Sequence, residues 1–501
     1  MPSNAGTPAL VRAPIAIERA AAASAQGLSP QQIRQAYALP AGGAGGQRIA
    51  IISAFNDPHV AVDLAAYTKH YGVAPCTEAS GCLRIINEQG KTKPLPQLDL
   101  TGGQWNTESA LGVELARGVC QTCGITLVEA TEDDVPDFAH AVHAAALAHA
   151  TVVVTTFTPP EDPFDETVAA DFSHPGTAFV AAAGEAATGD GYTGGVNFPS
   201  DLPGVLAVGG TVLRRGPSGA YGSESVWDST VSGCSEQEYA GLWQLTDAAE
   251  VGCQARRAVV DIAALSEPGA SVHITDSGSP GGPWFDADGT SVSAPIIAGV
   301  IGLAGSLGGN EASTLYARGL NDPGAFHDIT HGDNGTGCIP IPSPYYNIAP
   351  TAALICQAGR GYDGPTGLGT PFGLAAFLRN GGALSRSHPR LTISSASGKL
   401  VLQRGGVTHF LLRNSNAFAV TGTVATSISF PLASGGTLAV TVAKGKLRLA
   451  PLGAESVKVP LTAVERQSLS RAGQLRLTIR LQVRGPVAPT VGKARALHLY
   501  P

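Results

Sequence analysis

Gly289-Thr290-Ser291-Val292-Ser293-Ala294-Pro295 runs directly into Ile296-Ile297-Ala298-Gly299-Val300-Ile301-Gly302-Leu303. A turn of small residues therefore places Ser291 at the start of an apolar helix. The positive helix end and its free N–H groups can assist a hydroxyl nucleophile there. Taken alone, Gly-Thr-Ser reads as a helix cap. A nucleophilic serine also needs a base, and none of the 12 histidines stands in a His-Gly-Thr-like segment upstream of it. His140, His143 and His149 share one helical pattern and read as surface or core positions.

Followed by Ser293-Ala294-Pro295 and a buried helix, the turn resembles the nucleophile helix of the subtilisin-like clan. A subtilisin proper would carry the histidine segment that is missing here. Trp105-Asn106-Thr107-Glu108-Ser109-Ala110-Leu111-Gly112-Val113-Glu114 resembles instead the sedolisin (serine-carboxyl peptidase) family, which uses a helix glutamate as base and an aspartate one turn later. Further landmarks follow in order. Ala181-Ala182-Ala183-Gly184-Glu185 resembles the family's oxyanion-residue strand end, and Phe198 to Thr211 the strand after that loop. Asp328-Ile329-Thr330-His331-Gly332, then Gly359 to Gly369, resemble its calcium site. The resemblance runs from about residue 28 to 376.

The resemblance implies Ser291 as nucleophile, Glu108 as base and Glu185 as the oxyanion residue. A carboxylate in a partly buried site can have its pKa raised into a range useful for base catalysis. A protonated carboxyl at Glu185 would donate a hydrogen bond to the developing oxyanion. Two departures stand out. The second acid of the family falls on Gly112, and Glu114, six residues beyond Glu108, points to another helix face. Glycine at 112 is expected to leave a small void, so that Gly112→Asp would raise activity. The oxyanion aspartate falls on Glu185, one methylene longer, with Asp190 as the rival position if the loop is shifted. For calcium the resemblance implies the carboxylates of Asp328 and Asp363 and the carbonyls of Ile329, Gly359 and Gly361. Oxygen ligands from a glycine-rich loop suit a hard cation of flexible geometry.

These residues must be held by regular elements. Arg48-Ile49-Ala50-Ile51-Ile52, Ile125–Val128, Thr151–Thr155, Ala178–Ala181 and Val205–Val208 read as short buried strands. Helical patterns at Pro30–Tyr37, His59–Tyr71, Thr107–Arg117 and Asp137–Ala150 alternate with them. Such alternation indicates a doubly wound, mostly parallel sheet, here of the subtilisin-like kind. Beyond residue 380 the period changes to two, in Leu391–Ser394, Lys399–Leu402, His409–Leu412, Thr437–Val442, Ser456–Val459 and Leu475–Leu481, which predicts an all-β sandwich. The expected division is a lead segment at 1–46, a peptidase domain at 47–380 and a basic β-sandwich at 388–501, with the boundary in Gly381 to Pro389.

Charge divides the same way. From residue 380 onward there are 16 Lys+Arg and two acids, Glu455 and Glu465, a formal +14; the preceding residues hold 16 bases and 37 acids, a formal −21. The acidic body would repel phosphate, which disfavours nucleic acid as its partner. The basic one could dock on an acidic surface such as a cell-wall polymer or the acidic first body itself. No apolar run reaches the roughly 18 residues of a membrane span.

Eight cysteines fall into the close pairs Cys76/Cys82, Cys120/Cys123, Cys234/Cys253 and Cys338/Cys356. A zinc half-site or a redox pair at Cys120/Cys123 competes with disulfides, which the even count and local spacing favour. Disulfides imply export, although Met1-Pro2-Ser3-Asn4 lacks the basic start and apolar core of a signal peptide. The expectation is thus a secreted, calcium-binding, monomeric serine peptidase acting on peptides or proteins at acidic pH. The alternative is a silent homologue that binds peptide or surface polymer.

Overall fold

In the strand Arg48–Ala54 (β1), Ile49 and Ile51 join one buried cluster while Ala50 and Ile52 join another. A strand with apolar residues on both faces can only sit inside a sheet covered on both sides. In the computed structural model, residues 27–100, 105–186, 196–275, 283–335, 338–339, 353–378, 391–394, 399–403, 405–414, 420–431, 436–449, 454–484 and 491–501 are described. The predicted boundary stretch and Asp190 lie outside them. The chain divides into two compact units, Met1–Gly319 with Pro323–Gly381, and Leu320–Asp322 with Gly382–Pro501.

The first unit opens with a helix at Pro30–Ala36 (α1), started by a capping box between Ser29 and Gln32. After β1 come Val60–Tyr71 (α2), Leu83–Asn87 (β2), Trp105–Val119 (α3), Gly124–Ala130 (β3), Val135–Leu147 (α4), Val152–Thr155 (β4) and Ala178–Ala182 (β5). Then follow Val205–Arg215 (β6), Tyr221–Val226 (β7), Ser232–Tyr239 (β8), Leu245–Glu250 (α5), Arg256–Val259 (β9) and Ile262–Glu267 (β10). A hairpin of Ala270–His273 (β11) and Trp284–Ala287 (β12) leads into Thr290–Ala304 (α6) and Glu311–Asn321 (α7). Short strands at Phe326–His327 (β13), Cys338–Ile339 (β14) and Thr370–Pro371 (β15) complete the unit. The main sheet has the order β10-β6-β5-β4-β1-β3-β2, parallel throughout, with β7 added antiparallel to β6. Residues of α3 and α6 belong to the cluster on one face, and those of α4 to the cluster on the other. The expected doubly wound sheet is therefore present, with β2 and β10 as strands the sequence patterns passed over.

All four cysteine pairs are disulfides, Cys76–Cys82, Cys120–Cys123, Cys234–Cys253 and Cys338–Cys356. Neither the zinc half-site nor a free dithiol is present at Cys120/Cys123.

The second unit pairs two sheets. One has the order Leu391–Ser394 (β16), Val407–Asn414 (β18), Ala454–Pro460 (β21). The other has the order Leu400–Val401 (β17), Val491–Tyr500 (β23), Leu475–Arg484 (β22), Val420–Pro431 (β19), Thr437–Leu449 (β20). Leu412 and Val459 of the first sheet share one buried cluster with Ile428 and Ile479 of the second, so this is a sandwich. It is not all-β: Ala463–Ala472 (α8) is a helix, begun by a capping box between Thr462 and Glu465. No helix of the described residues is long and apolar enough to cross a membrane.

Candidate active site

Two helices of one sheet face carry the predicted nucleophile and base. Glu108 lies in the first turn of α3, and Ser291 is the second residue of α6. The helices pack closely because α6 offers glycine at the contact. A Cβ at Gly299 would lie 2.6 Å from Val119 Cβ, and one at Gly302 would lie 2.6 Å from Cys123 Sγ. The turn before α6 needs glycine for another reason, since Gly289 has φ +114°. At the second helical position the Ser291 amide has no intrahelical acceptor, so it remains available at the positive helix end.

Ser291 Oγ donates to Glu108 Oε1 at 3.1 Å, and both residues are buried. Glu108 Oε2 is buried without a hydrogen-bond partner among the described residues. Burial pushes the Glu108 carboxyl up to about 8; the Thr156 and Ser291 hydroxyls partly offset this, and the negative field of Glu185 adds to it. Ser109, the next residue, donates to Ser53 Oγ at 2.8 Å, and Ser53 Oγ donates to the Trp105 carbonyl. The hydroxyls that act on the Glu108 carboxyl are those of Thr156 and Ser291. Thr156 stands in no motif, and only its position just after β4 brings it to the site.

Glu185 follows β5 and forms an isolated bridge with Thr230. Its Oε1 accepts from the Thr290 amide and, at 2.7 Å, from Thr290 Oγ1. Thr290 Oγ1 in turn accepts from the Gly184 amide at 3.2 Å. Thr290 therefore ties the nucleophile turn to the end of β5, a role hidden inside the Gly-Thr-Ser motif. Although the residue is only half-buried, Glu185 Oε2 is sealed from solvent without a partner among the described residues. Burial pushes this carboxyl up to about 7, against the two hydrogen bonds from Thr290. The site thus holds two carboxyls that both resist ionisation beside one serine.

Gly112 differs from the expectation. A Cβ there would lie 2.6 Å from Ile51 Cγ2, so the residue faces β1 and leaves no void. An aspartate at this position would have to displace Ile51, which is 2% exposed, and the expected rescue by Gly112→Asp is withdrawn. Glu114 points elsewhere, as its spacing implies: it is fully buried and accepts from the His273 amide at 2.8 Å. Asp190 lies outside the described residues, so Glu185 is the oxyanion candidate that the structure places.

The predicted cation loop is assembled around Asp363, which is fully buried. Its carboxylate accepts from Gly359 N at 2.9 Å, Thr366 N at 3.0 Å and Thr366 Oγ1 at 2.8 Å. Asp328 accepts from Gly361 N at 3.1 Å, and its charge helps burial raise Asp363 to about 7. Among the described residues the carbonyl oxygens of Ile329, Gly359 and Gly361 accept no hydrogen bond. Two facing carboxylates with unused carbonyls in a glycine-rich loop fit a hard cation such as calcium. A different group, Glu88, Asp137 and His140, brings candidate ligand atoms within 4.8 Å of one another; it shares no residue with the predicted loop.

The subtilase family profile matches residues 106–315, the stretch that contains Glu108, Glu185 and Ser291. The chain is 29% identical over 384 residues to kumamolisin of Bacillus sp. (strain MN-32), covering 71% of this chain and 64% of that protein. It is 31% identical over 209 residues to sedolisin of Pseudomonas sp. (strain 101), covering 38% of this chain and 32% of that protein. Each match spans less than two thirds of the relative's length. The solved structure of Pseudomonas sedolisin (serine-carboxyl proteinase), complexed with two molecules of pseudo-iodotyrostatin, matches with a TM-score of 0.56 at 23% identity. It covers 70% of this chain and 96% of that one, a likeness of fold.

Proposed function

Because the chain belongs to the sedolisin family of the subtilisin-like clan, we propose that it hydrolyses peptide bonds with Ser291 as nucleophile and Glu108 as general base. The observation that carries this reading is the Ser291 Oγ to Glu108 Oε1 hydrogen bond inside a buried site. Glu108 takes the serine proton as Oγ attacks the peptide carbonyl, and its carboxylic acid form returns that proton to the leaving amine. A protonated Glu185 Oε2, together with the Ser291 amide, holds the oxyanion.

Turnover then needs Glu108 ionised and Glu185 protonated at once. With the two carboxyls raised to about 8 and about 7, they share a single proton near neutrality. The acid limb is then the pair's first ionisation and the alkaline limb its second, and because Glu108 is raised further than Glu185 the productive form, with the shared proton on Glu185, is the minor one-proton state. A protonated oxyanion donor alone would favour acid; the need for an ionised Glu108 moves the proposed optimum toward neutral pH.

Calcium at Asp328, Ile329, Gly359, Gly361 and Asp363 is part of the proposal, and when bound it would neutralise the facing carboxylates. So are the division into a peptidase domain at 47–380 and a sandwich at 388–501, action as a monomer, and export, which the four disulfides support. A second reading, a silent homologue that binds peptide, draws on Gly112 and on the unpartnered Glu108 Oε2, since the base has no carboxyl to orient it. A fluorogenic peptide library assayed between about pH 3 and 9, beside Ser291→Ala, separates the two. Bell-shaped turnover lost in Ser291→Ala supports the enzyme; equal rates in both proteins would end the mechanism.

A further inference from the structure

The five-stranded sheet of the second unit contains no Asp or Glu in any of its strands. The two acids of that unit lie on other elements: Glu455 on β21, where it lines a cavity with Lys444 and Lys446 at the edge of the sheet, and Glu465 at the start of α8. Along β22 the buried Leu477, Ile479 and Leu481 alternate with exposed Arg476, Arg480 and Gln482. Along β20, Leu447 and Leu449 are buried while Lys444, Lys446 and Arg448 are exposed. Every second residue shares a face, so the cations all stand on the side away from the sandwich core.

The register sets their spacing. Lys444 lies opposite Ala425, which lies opposite Arg480. Lys446 likewise lies opposite Thr423, which lies opposite Gln482. Two cationic rows are therefore two strand spacings apart, about 10 Å, with successive lysines about 7 Å apart along β20. Between them β19 places the half-buried Thr423 and Ala425 and the buried Ser427, whose Oγ accepts from Arg480 Nη1 at 3.4 Å. At one end of this face a cavity of about 290 Å³ is lined in part by Ser429, Thr437, Arg476, Thr478 and exposed His498.

We propose that this face binds an anionic polysaccharide. Its acid groups would pair with the two cationic rows, and its ring hydroxyls with the threonine, serine and glutamine side chains around them. The same surface is poorly suited to other polyanions. Single-stranded nucleic acid binds by stacking on aromatic side chains, and Tyr500 is already covered by Lys399 Nζ at 5.3 Å from its ring. An acidic peptide adding as a strand would use the free edge of β20 and not its face. A lipid surface would ask for exposed apolar anchors among the cations, and the exposed Leu438 and Val440 of β20 lie opposite Phe430 and Ile428, in register with the core-facing side of β19 and not with the cationic side.

The test uses the full chain and polygalacturonate as probe, followed by calorimetry at low and near-physiological salt. Lys444→Glu/Arg480→Glu is compared with Arg413→Glu/Arg471→Glu, which changes net charge equally at exposed positions on β18 and α8. Thermal melts confirm that both variants fold, and Lys444→Gln/Arg480→Gln repeats the comparison without added acids. The expected result is binding that weakens with salt, falls about tenfold or more in the face variants and about twofold or less in the control. Equal loss in both pairs would reduce the effect to net charge and overturn the proposal. So would displacement of polygalacturonate by polyglutamate, single-stranded DNA or anionic vesicles at equal charge concentration.

Discussion

In the eight-stranded sheet every residue of β4 and β5 is buried, whereas β22 of the second unit alternates buried leucine and isoleucine with exposed arginine. A sheet covered on both faces has no face left for chemistry. Its reactive groups stand at strand ends and helix starts, as Glu185 and Ser291 do, and every charge taken inside is desolvated. A sheet with one open face keeps its charges in water, where they act collectively. The first unit therefore concentrates a few desolvated acids, and the second spreads its cations over an open face.

The contrast can be broken most sharply at Ser291. If the proposed mechanism holds, Ser291→Ala lowers kcat on the order of a thousandfold or more, while polygalacturonate binding is unchanged. Retained turnover in that variant would remove chemistry from the first unit altogether.

Stability against pH is the next lever. Burial raises Asp57 to about 6, Glu129 and Glu185 to about 7, and Glu108 and Asp201 to about 8. Groups whose folded pKa is raised contribute stability that is fully present below their unfolded values, near 4, and lost as pH rises through the folded values. The first unit is thus expected to lose on the order of several kcal/mol from these groups between about pH 5 and 8. The second unit, with two acids, shows no comparable slope. Calorimetric scans that resolve two transitions would test this, and parallel pH slopes would contradict it.

Gly112→Asp comes third. With Ile51 Cγ2 2.6 Å from the new Cβ, the variant should lose about 1–3 kcal/mol from overpacking alone, and more for the buried carboxyl. Denaturant melts that show wild-type stability, or assays that show a gain in rate, would mean that α3 can move off β1. Calcium should follow in size: at about a hundredfold excess over Kd, binding to the native loop adds about 2.7 kcal/mol, lost on chelation. An unchanged Tm after the site is demonstrably emptied would exclude the assigned ligands. Smallest is Lys446→Gln on the open face, which should shift stability by no more than about 0.5 kcal/mol.

Much of this was legible in the residues themselves. The apolar runs at β1, β3, β4, β5 and β6 read as buried strands because both faces are covered, and period two in the second unit reads as open-faced sheet. Thr462 and Glu465 also spell a helix start, yet the surrounding period-two pattern masks α8. The edge strand β2 was missed because Leu83-Arg84-Ile85 mixes exposed and buried positions, as an edge strand does. The pairing of eight cysteines was legible because each closes a short loop.

What the chain alone determined is which residues are available: a serine in a small-residue turn, a glutamate on a helix, a glycine where a second acid would stand, and a split of charge between two bodies. These follow from local pattern and composition. Tertiary structure alone decided which of them meet. Glu108 and Ser291 are 183 residues apart and come to 3.1 Å because two helices close on glycine. Glu185 meets the nucleophile turn through Thr290. Gly112 turns out to face Ile51 with no space to spare. Contact distance, desolvation and free volume depend on packing between distant segments, and no spacing along one strand or helix encodes them.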